Sequence, residues 1–287
     1  MYVFRHFRGE LSFAVSFWIN YVGGLAFFTL ASMLLIHTKD QISLVTLGYL
    51  SLALYPSASI GIPWLMVGTW RSASRYVAAG GRRFWALSVK ALILVAAYNV
   101  CKLIVITIPM IGEYGRIITG DKDTPPYTIV ADSRGEIIDF RGGLRAGAEC
   151  EFKRQLESST RIRMLGIESD GGRLSEGMRI GRMVRNRGLH TMVLTHCKSA
   201  ATFIFICGRE RIVTPKAKIG FHRPSGVRER SDDYADVRQF MKEAGISKEF
   251  IDRVLATSPD DMWYPTYEEM RQAGVVTGQL VDGEIRR

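Results

Sequence analysis

Polar residues are spread along this chain in two different ways. From Leu11 to Ile36, and again from Ile42 to Trp70, no Asp, Glu, Lys or Arg interrupts the apolar run. At about 1.5 Å of rise per residue, each run is longer than the roughly 30 Å hydrocarbon core of a bilayer, so both predict membrane-spanning helices. Pro56, Gly61 and Pro63 in the second run predict a kink or a break. A third run, Trp85 to Ile111, is apolar apart from Lys90, Asn99 and Lys102. Lys90 falls near one end of that helix, and Lys102 is placed to snorkel to the far interface. The expected partner of residues 1–112 is therefore the lipid bilayer.

After Gly112 the pattern becomes short and alternating. Gly120 to Tyr127, with its Pro125-Pro126 pair, reads as a linker. Glu136 to Leu144 and Arg163 to Glu168 read as strands, with a helix from Ala146 to Leu156 between them. Leu174 to Asn186 is an amphipathic helix stopped by Gly188, and Thr191 to Thr195 is the next strand. Ser199 to Cys207 is apolar enough for a buried helix closed by Gly208, and Ala217 to Phe221 follows as a strand. Asp232 to Glu243, Ser247 to Leu255 and Tyr267 to Gln272 complete the pattern as helices. Such alternation predicts an α/β domain with a mainly parallel sheet over 113–287.

Charge adds an orientation. The net charge is +10, and residues 1–112 hold nine Lys/Arg against two Asp/Glu. The excess thus flanks the apolar runs, and no basic stripe interleaved with aromatics marks a nucleic-acid face. Arg5 and Arg8 precede the first run, and Arg71, Arg75, Arg82 and Arg83 separate the second from the third. The positive-inside rule puts those segments in the cytoplasm, and three spans then place 113–287 on the extracytoplasmic side. The expected location is the inner (cytoplasmic) membrane as a multi-pass protein with a periplasmic C-terminal domain.

Three local features carry candidate chemistry. Ser169-Asp170-Gly171-Gly172 joins a strand to a helix, where glycines let backbone N–H groups approach a ligand. In Cys197-Lys198-Ser199-Ala200-Ala201 a hydroxyl heads the apolar helix, close to its positive end. Gly220-Phe221-His222-Arg223-Pro224 puts an imidazole at a strand end. Singly these are an ordinary turn, an ordinary N-cap and an ordinary histidine. Their order is more specific than any one of them.

That order resembles the ClpP/crotonase superfamily over roughly Asp139 to Val276, and within it the Clp protease proteolytic subunit and the signal peptide peptidase A group. The resemblance implies a ClpP/crotonase-like fold and a serine peptidase. In it Ser199 is the nucleophile, His222 the general base and Asp261 the third triad member, with Asp260 as the alternative. The backbone N–H groups of Gly172 and Ala200 form the oxyanion hole. The histidine motif departs by one extra residue between Ile219 and His222. Asp170 departs too, because it sets a carboxylate beside the oxyanion hole, with Arg173 as a candidate partner. The peptidase A relatives use a Ser/Lys dyad, and Lys248 stands at the matching distance. His222 is preferred because a Ser/Lys enzyme needs no histidine at that strand end.

The resemblance also implies a peptide or protein substrate and a homo-oligomer. The competing readings are an inactive ClpP-like scaffold or peptide-binding membrane protein, which Asp170 favours, and a crotonase-like acyl-CoA enzyme. No CxxC, HExxH, P-loop or strand-borne GxGxxG is present, so neither metal nor cofactor is expected. Cys150 and Cys197 are candidates for a disulfide in an oxidising compartment.

Overall fold

The computed structural model describes residues 1–225 and 234–287, and the chain separates into two compact units, Met1–Thr119 and Gly120–Arg287. The expected helix start at Asp232 lies outside the described residues.

The first unit is helical. A short α1 (Tyr2–Phe7) precedes a π-helical stretch, Val15–Val22, that continues as α2 (Gly23–Thr38); α3 (Leu44–Ala78) and α4 (Arg83–Ile118) follow. Three helices, Val15–Thr38, Leu44–Ala78 and Arg83–Ile118, are long and apolar enough to cross a membrane. The expected break in the second does not occur: α3 runs through both Pro56 and Pro63. Gly61 lets α3 approach α2, since a Cβ there would come within 3.0 Å of the Phe28 ring. Thr69 Oγ1 donates to the Ser16 carbonyl of the π-helical stretch at 3.0 Å. The two lysines of α4 each lie over an aromatic ring, Lys90 over Trp70 and Lys102 over Tyr98. The helix does not stop at Gly112 but continues to Ile118, where Arg116 pairs with Glu113.

The second unit is built on a seven-stranded sheet in the order β1 (Tyr127–Ala131), β2 (Ile137–Gly142), β3 (Met164–Glu168), β4 (His190–Val193), β6 (Arg211–Val213), β8 (Gly278–Val281), β9 (Glu284–Arg286). The four pairings from β2 to β8 are parallel, and the two outer ones are antiparallel hairpins. A second, two-stranded parallel sheet joins β5 (His196–Lys198) to β7 (Lys218–Gly220). The helices are α5 (Ala148–Glu157), α6 (Leu174–Arg187), the short α7 (Thr202–Phe205), α8 (Ala235–Glu243), α9 (Lys248–Ala256) and α10 (Tyr267–Gln272). The mixed α/β class with a mainly parallel sheet is as expected.

Alternation explains the core. Ile138 and Phe140 of β2, and Leu165 and Ile167 of β3, are buried on one face of the sheet. Helix α6 buries Met178, Ile180 and Val184 and ends where Gly188 turns left-handed at φ +68. Its Gly177 and Gly181 face the Ala200 and Phe203 carbonyls so closely that a Cβ would lie 2.4 and 2.5 Å away. These two glycines seat the segment around Ser199 directly on α6.

Candidate active site

The turn after β3 is held by backbone bonds to β5. Ser169 N–H donates to the His196 carbonyl at 3.2 Å, Lys198 N–H donates to the Ser169 carbonyl at 2.9 Å, and Ser169 Oγ accepts from Gly171 N–H at 3.1 Å. These bonds lay Gly171 and Gly172 against the start of the Ser199 helix. Both have positive φ, +99 and +138. A Cβ on Gly171 would sit 2.8 Å from the Ser199 Cβ and from the Lys198 carbonyl oxygen, and one on Gly172 would sit 2.5 Å from the Leu144 carbonyl oxygen. Only glycine fits either place.

Ser199 itself has φ +51, a left-handed conformation that costs a non-glycine residue about 1–3 kcal/mol. It opens a tight 3-10 turn, Ser199–Ala201, that runs into α7. The structure thus replaces the single helix expected from Ser199 to Cys207 with this turn and one short helix. Among the described residues, the N–H groups of Gly172 and Ala200 donate to no protein acceptor.

His222 reaches the serine from β7. Phe221 and Trp263 exchange N–H···O bonds of 2.9 Å in both directions, and Arg223 N–H donates to the Thr257 carbonyl at 3.1 Å. Phe221, Phe250 and Trp263 pack ring against ring beneath, with Phe250 and Trp263 centroids 4.6 Å apart. So fixed, His222 Nε2 lies 2.7 Å from Ser199 Oγ, and Nδ1 lies 2.8 Å from the Arg223 carbonyl oxygen. A carbonyl only accepts. Nδ1 therefore carries the proton, and Nε2 is left to accept from the serine hydroxyl.

The structure brings Ser199, Ala200, Gly172 and His222 into the wall of one cleft of about 440 Å³, which Arg173, Leu174 and Phe203 also line. It does not bring Asp261 there. Asp261 and Asp260 are exposed in the turn after α9, and the acceptor at His222 Nδ1 is the Arg223 carbonyl. The Phe221–Trp263 pairing puts the backbone of residue 263, not a carboxylate, beside the histidine strand. Lys248 is exposed at the first turn of α9 and lies outside the cleft wall.

Asp170 pairs with Lys198 Nζ at 2.7 Å and lies 3.6 Å from His196 Nε2; its expected partner Arg173 binds Asp121 instead. The Lys198 hydrogen bond holds the Asp170 carboxyl below its ordinary range, and the same bond raises Lys198. Behind the turn, the buried carboxyl of Glu176 accepts from Gly147 N–H at 3.1 Å and Glu149 N–H at 2.6 Å, so it caps α5. Burial raises its pKa despite those two bonds. Cys197 is fully buried, and burial pushes its thiol well up, whereas Cys150 is exposed, so the two are not joined.

Sequence reasoning missed three parts of this arrangement: the strand β5, the Arg223 carbonyl and the Asp121–Arg173 pair. Only Asp170 beside Gly171-Gly172 and Lys198 beside Ser199 hinted in the sequence that charges would meet there.

Residues 152–262 match the family model of the Clp protease. Among solved structures, a ClpP1 mutant from Listeria monocytogenes is 19% identical, with TM-score 0.41, over 50% of this chain and 90% of its own. The ClpP protease catalytic domain from Plasmodium falciparum is also 19% identical, with TM-score 0.43, over 52% of this chain and 86% of its own. A search of curated proteins gave no match. The family match runs from α5 to Met262 and so spans Gly172, Ser199 and His222; over that stretch the α/β unit is similar to the Clp protease, a serine peptidase domain.

Proposed function

We propose that this protein is a membrane-tethered serine peptidase that cleaves peptide bonds with Ser199 as nucleophile and His222 as general base. The observation that carries the reading is the 2.7 Å contact between Ser199 Oγ and His222 Nε2, with the Nδ1 proton fixed on the Arg223 carbonyl. As Oγ attacks the scissile carbonyl carbon, its proton passes to Nε2. The resulting imidazolium keeps its Nδ1–H on Arg223. The oxyanion of the tetrahedral intermediate takes hydrogen bonds from Gly172 N–H and Ala200 N–H, both without protein acceptors among the described residues. Nε2–H then protonates the leaving amine, and water repeats the sequence to release the acyl group.

The substrate in this reading is an extended peptide or protein segment laid along a strand edge. The three apolar helices anchor the enzyme in the inner membrane, and the arginine-rich segment 71–83 keeps that side cytoplasmic and the α/β unit extracytoplasmic. Assembly into a homo-oligomer belongs to the same proposal. One observation favours the second reading, an inactive peptide-binding scaffold: the acceptor at Nδ1 is a neutral carbonyl, with Asp261 elsewhere.

The test is covalent labelling of the full chain in detergent with a fluorophosphonate probe. Labelling that disappears in Ser199→Ala and in His222→Ala supports the peptidase. A folded wild-type chain that takes no label leaves the scaffold.

A further inference from the structure

Beyond Gly172 the turn is tied to a segment far upstream. Arg173 sits in the cleft wall, and its side chain is only 16% exposed. Its Nε and Nη2 both donate to the carboxylate of Asp121, which is 6% exposed and lies 52 residues earlier. Asp121 Oδ2 also accepts from Ala146 N–H at 2.8 Å. The backbone repeats the connection: Leu144 N–H donates to the Gly171 carbonyl, and Arg173 N–H donates to the Leu144 carbonyl, both at 2.8 Å. One carboxylate thus fixes both flanks of Gly172, the 144–146 segment on one side and Arg173 on the other.

A strand-to-helix turn needs no such partner. A buried ion pair also adds little net stability, because desolvating two charges offsets most of their attraction. What the two-pronged contact supplies is direction, since a guanidinium fork on a carboxylate leaves little freedom in angle. The backbone it orients begins one residue after Gly172, the proposed oxyanion donor. A donor displaced by about 1 Å loses on the order of 100-fold in rate.

We propose that Asp121 and Arg173 are positioning residues for the Gly172 N–H, so that the segment leading out of α4 is part of the catalytic apparatus and not a passive tether; this rests on the serine peptidase reading above. Asp121 follows Ile118, the last residue of α4, within the stretch whose sequence reads as a linker. In the folded unit that stretch is a strut.

The experiment uses the full chain in detergent and two readouts. The first is fluorophosphonate labelling of Ser199 at varied probe concentration, which separates the maximal inactivation rate from probe affinity. The second is amide hydrogen exchange at residues 171–173. Asp121→Asn alone takes the carboxylate away from a buried guanidinium and can unfold the chain, so the deciding variant is Asp121→Asn with Arg173→Met, which removes both charges. The expected result is a folded protein with probe affinity within about two-fold of wild type, a maximal labelling rate about ten-fold or more lower, and faster exchange at the residue-173 amide, which is bonded to the Leu144 carbonyl. Arg173→Lys keeps the charge but loses the fork, and should fall between the two. A neutral pair that labels at the wild-type maximal rate with unchanged exchange overturns the strut and leaves the peptidase reading intact. A wild-type chain with no Ser199 labelling overturns the peptidase reading; unchanged exchange at the residue-173 amide in the neutral pair would then overturn the strut independently.

Discussion

Gly171→Ala separates close approach from backbone strain when it is paired with Gly188→Ala. Both glycines have positive φ, +99 and +68. At Gly188 an added Cβ meets nothing within 4 Å, so the substitution carries conformational strain alone, about 1 kcal/mol. At Gly171 the same Cβ lands 2.8 Å from the Lys198 carbonyl oxygen and the Ser199 Cβ, and 3.0 Å from the Ala200 nitrogen. Two of those atoms are backbone and the third is a Cβ, so no rotamer change relieves the contact. Overpacking adds about 1–3 kcal/mol to a strain of about 1–3 kcal/mol, for a total of roughly 2–6 kcal/mol. That is a large share of the ~5–15 kcal/mol typical of a folded domain. What relaxation remains must part the glycine turn from the Ser199 turn, which moves the Gly172 N–H off the proposed oxyanion position. The assay pairs denaturant unfolding with the Ser199 labelling rate. Gly188→Ala should lose about 1 kcal/mol and keep its labelling rate, while Gly171→Ala should lose several times more and label at least ~100-fold more slowly. A Gly171→Ala protein as stable and as reactive as Gly188→Ala would refute the claim that this turn touches the nucleophile.

Asp261→Asn should leave Ser199 labelling within about two-fold, because the acceptor at His222 Nδ1 is the Arg223 carbonyl and not Asp261; a loss of ~100-fold or more would restore Asp261 to the site. Lys198→Met should slow labelling more than Asp170→Asn does, because it leaves the Asp170 charge unneutralised beside the oxyanion turn, yet the exposed pair should change stability by less than ~1 kcal/mol; equal rates in the two variants would count against this. The raised pKa of Glu176 means that the folded state holds its proton more tightly than the unfolded state, so its contribution to stability is present below about 4.5 and is lost as pH rises through the higher folded value. Unfolding at several pH values should show that slope in wild type and lose it in Glu176→Gln. An alkaline phosphatase fused after Arg287 should be active in cells, and an inactive fusion would reverse the proposed orientation.

The parts of the fold legible in the sequence are those with a periodic apolar face and a stop. Helix α6 was readable from Leu174 to Gly188 because its buried side chains repeat at helical spacing and glycine ends it. Strands β2 and β3 were readable because pairs of buried residues alternate. Strand β1 was not, because it is an edge that buries only Ile129 and follows a proline pair that reads as linker. Strand β5 is three residues long, and β9 is wholly exposed, so neither offers a period. The candidate nucleophile and imidazole could be named from side-chain letters. The acceptor at Nδ1 could not, because a backbone carbonyl is present at every position and only the tertiary path singles out Arg223. Asp121 was hidden for a related reason: its partner lies 52 residues away, and nothing local marks the contact.

In the proposed peptidase reading, the neutral acceptor at His222 Nδ1 decides how the catalytic burden is shared. A carbonyl and a carboxylate both select the Nδ1–H tautomer, so the base is equally well aimed in either case. They differ once the proton has moved. A carboxylate about 3 Å from the imidazolium contributes up to roughly 5 kcal/mol of attraction at an effective dielectric of about 20, before its own desolvation is subtracted. A charge-assisted hydrogen bond to a carbonyl contributes about 1.5–3 kcal/mol. In that reading the site stabilises the cation of the transition state weakly, and more of the remaining stabilisation falls on the anion, at the proposed donors Gly172 and Ala200. It follows that variants which shift the glycine turn, Gly171→Ala and the neutral Asp121/Arg173 pair, should each cost more rate than removing either exposed carboxylate after α9. An order in which Asp261→Asn costs the most would mean that the cation, not the oxyanion, governs the barrier, and the geometry at Nδ1 would then have to change on substrate binding.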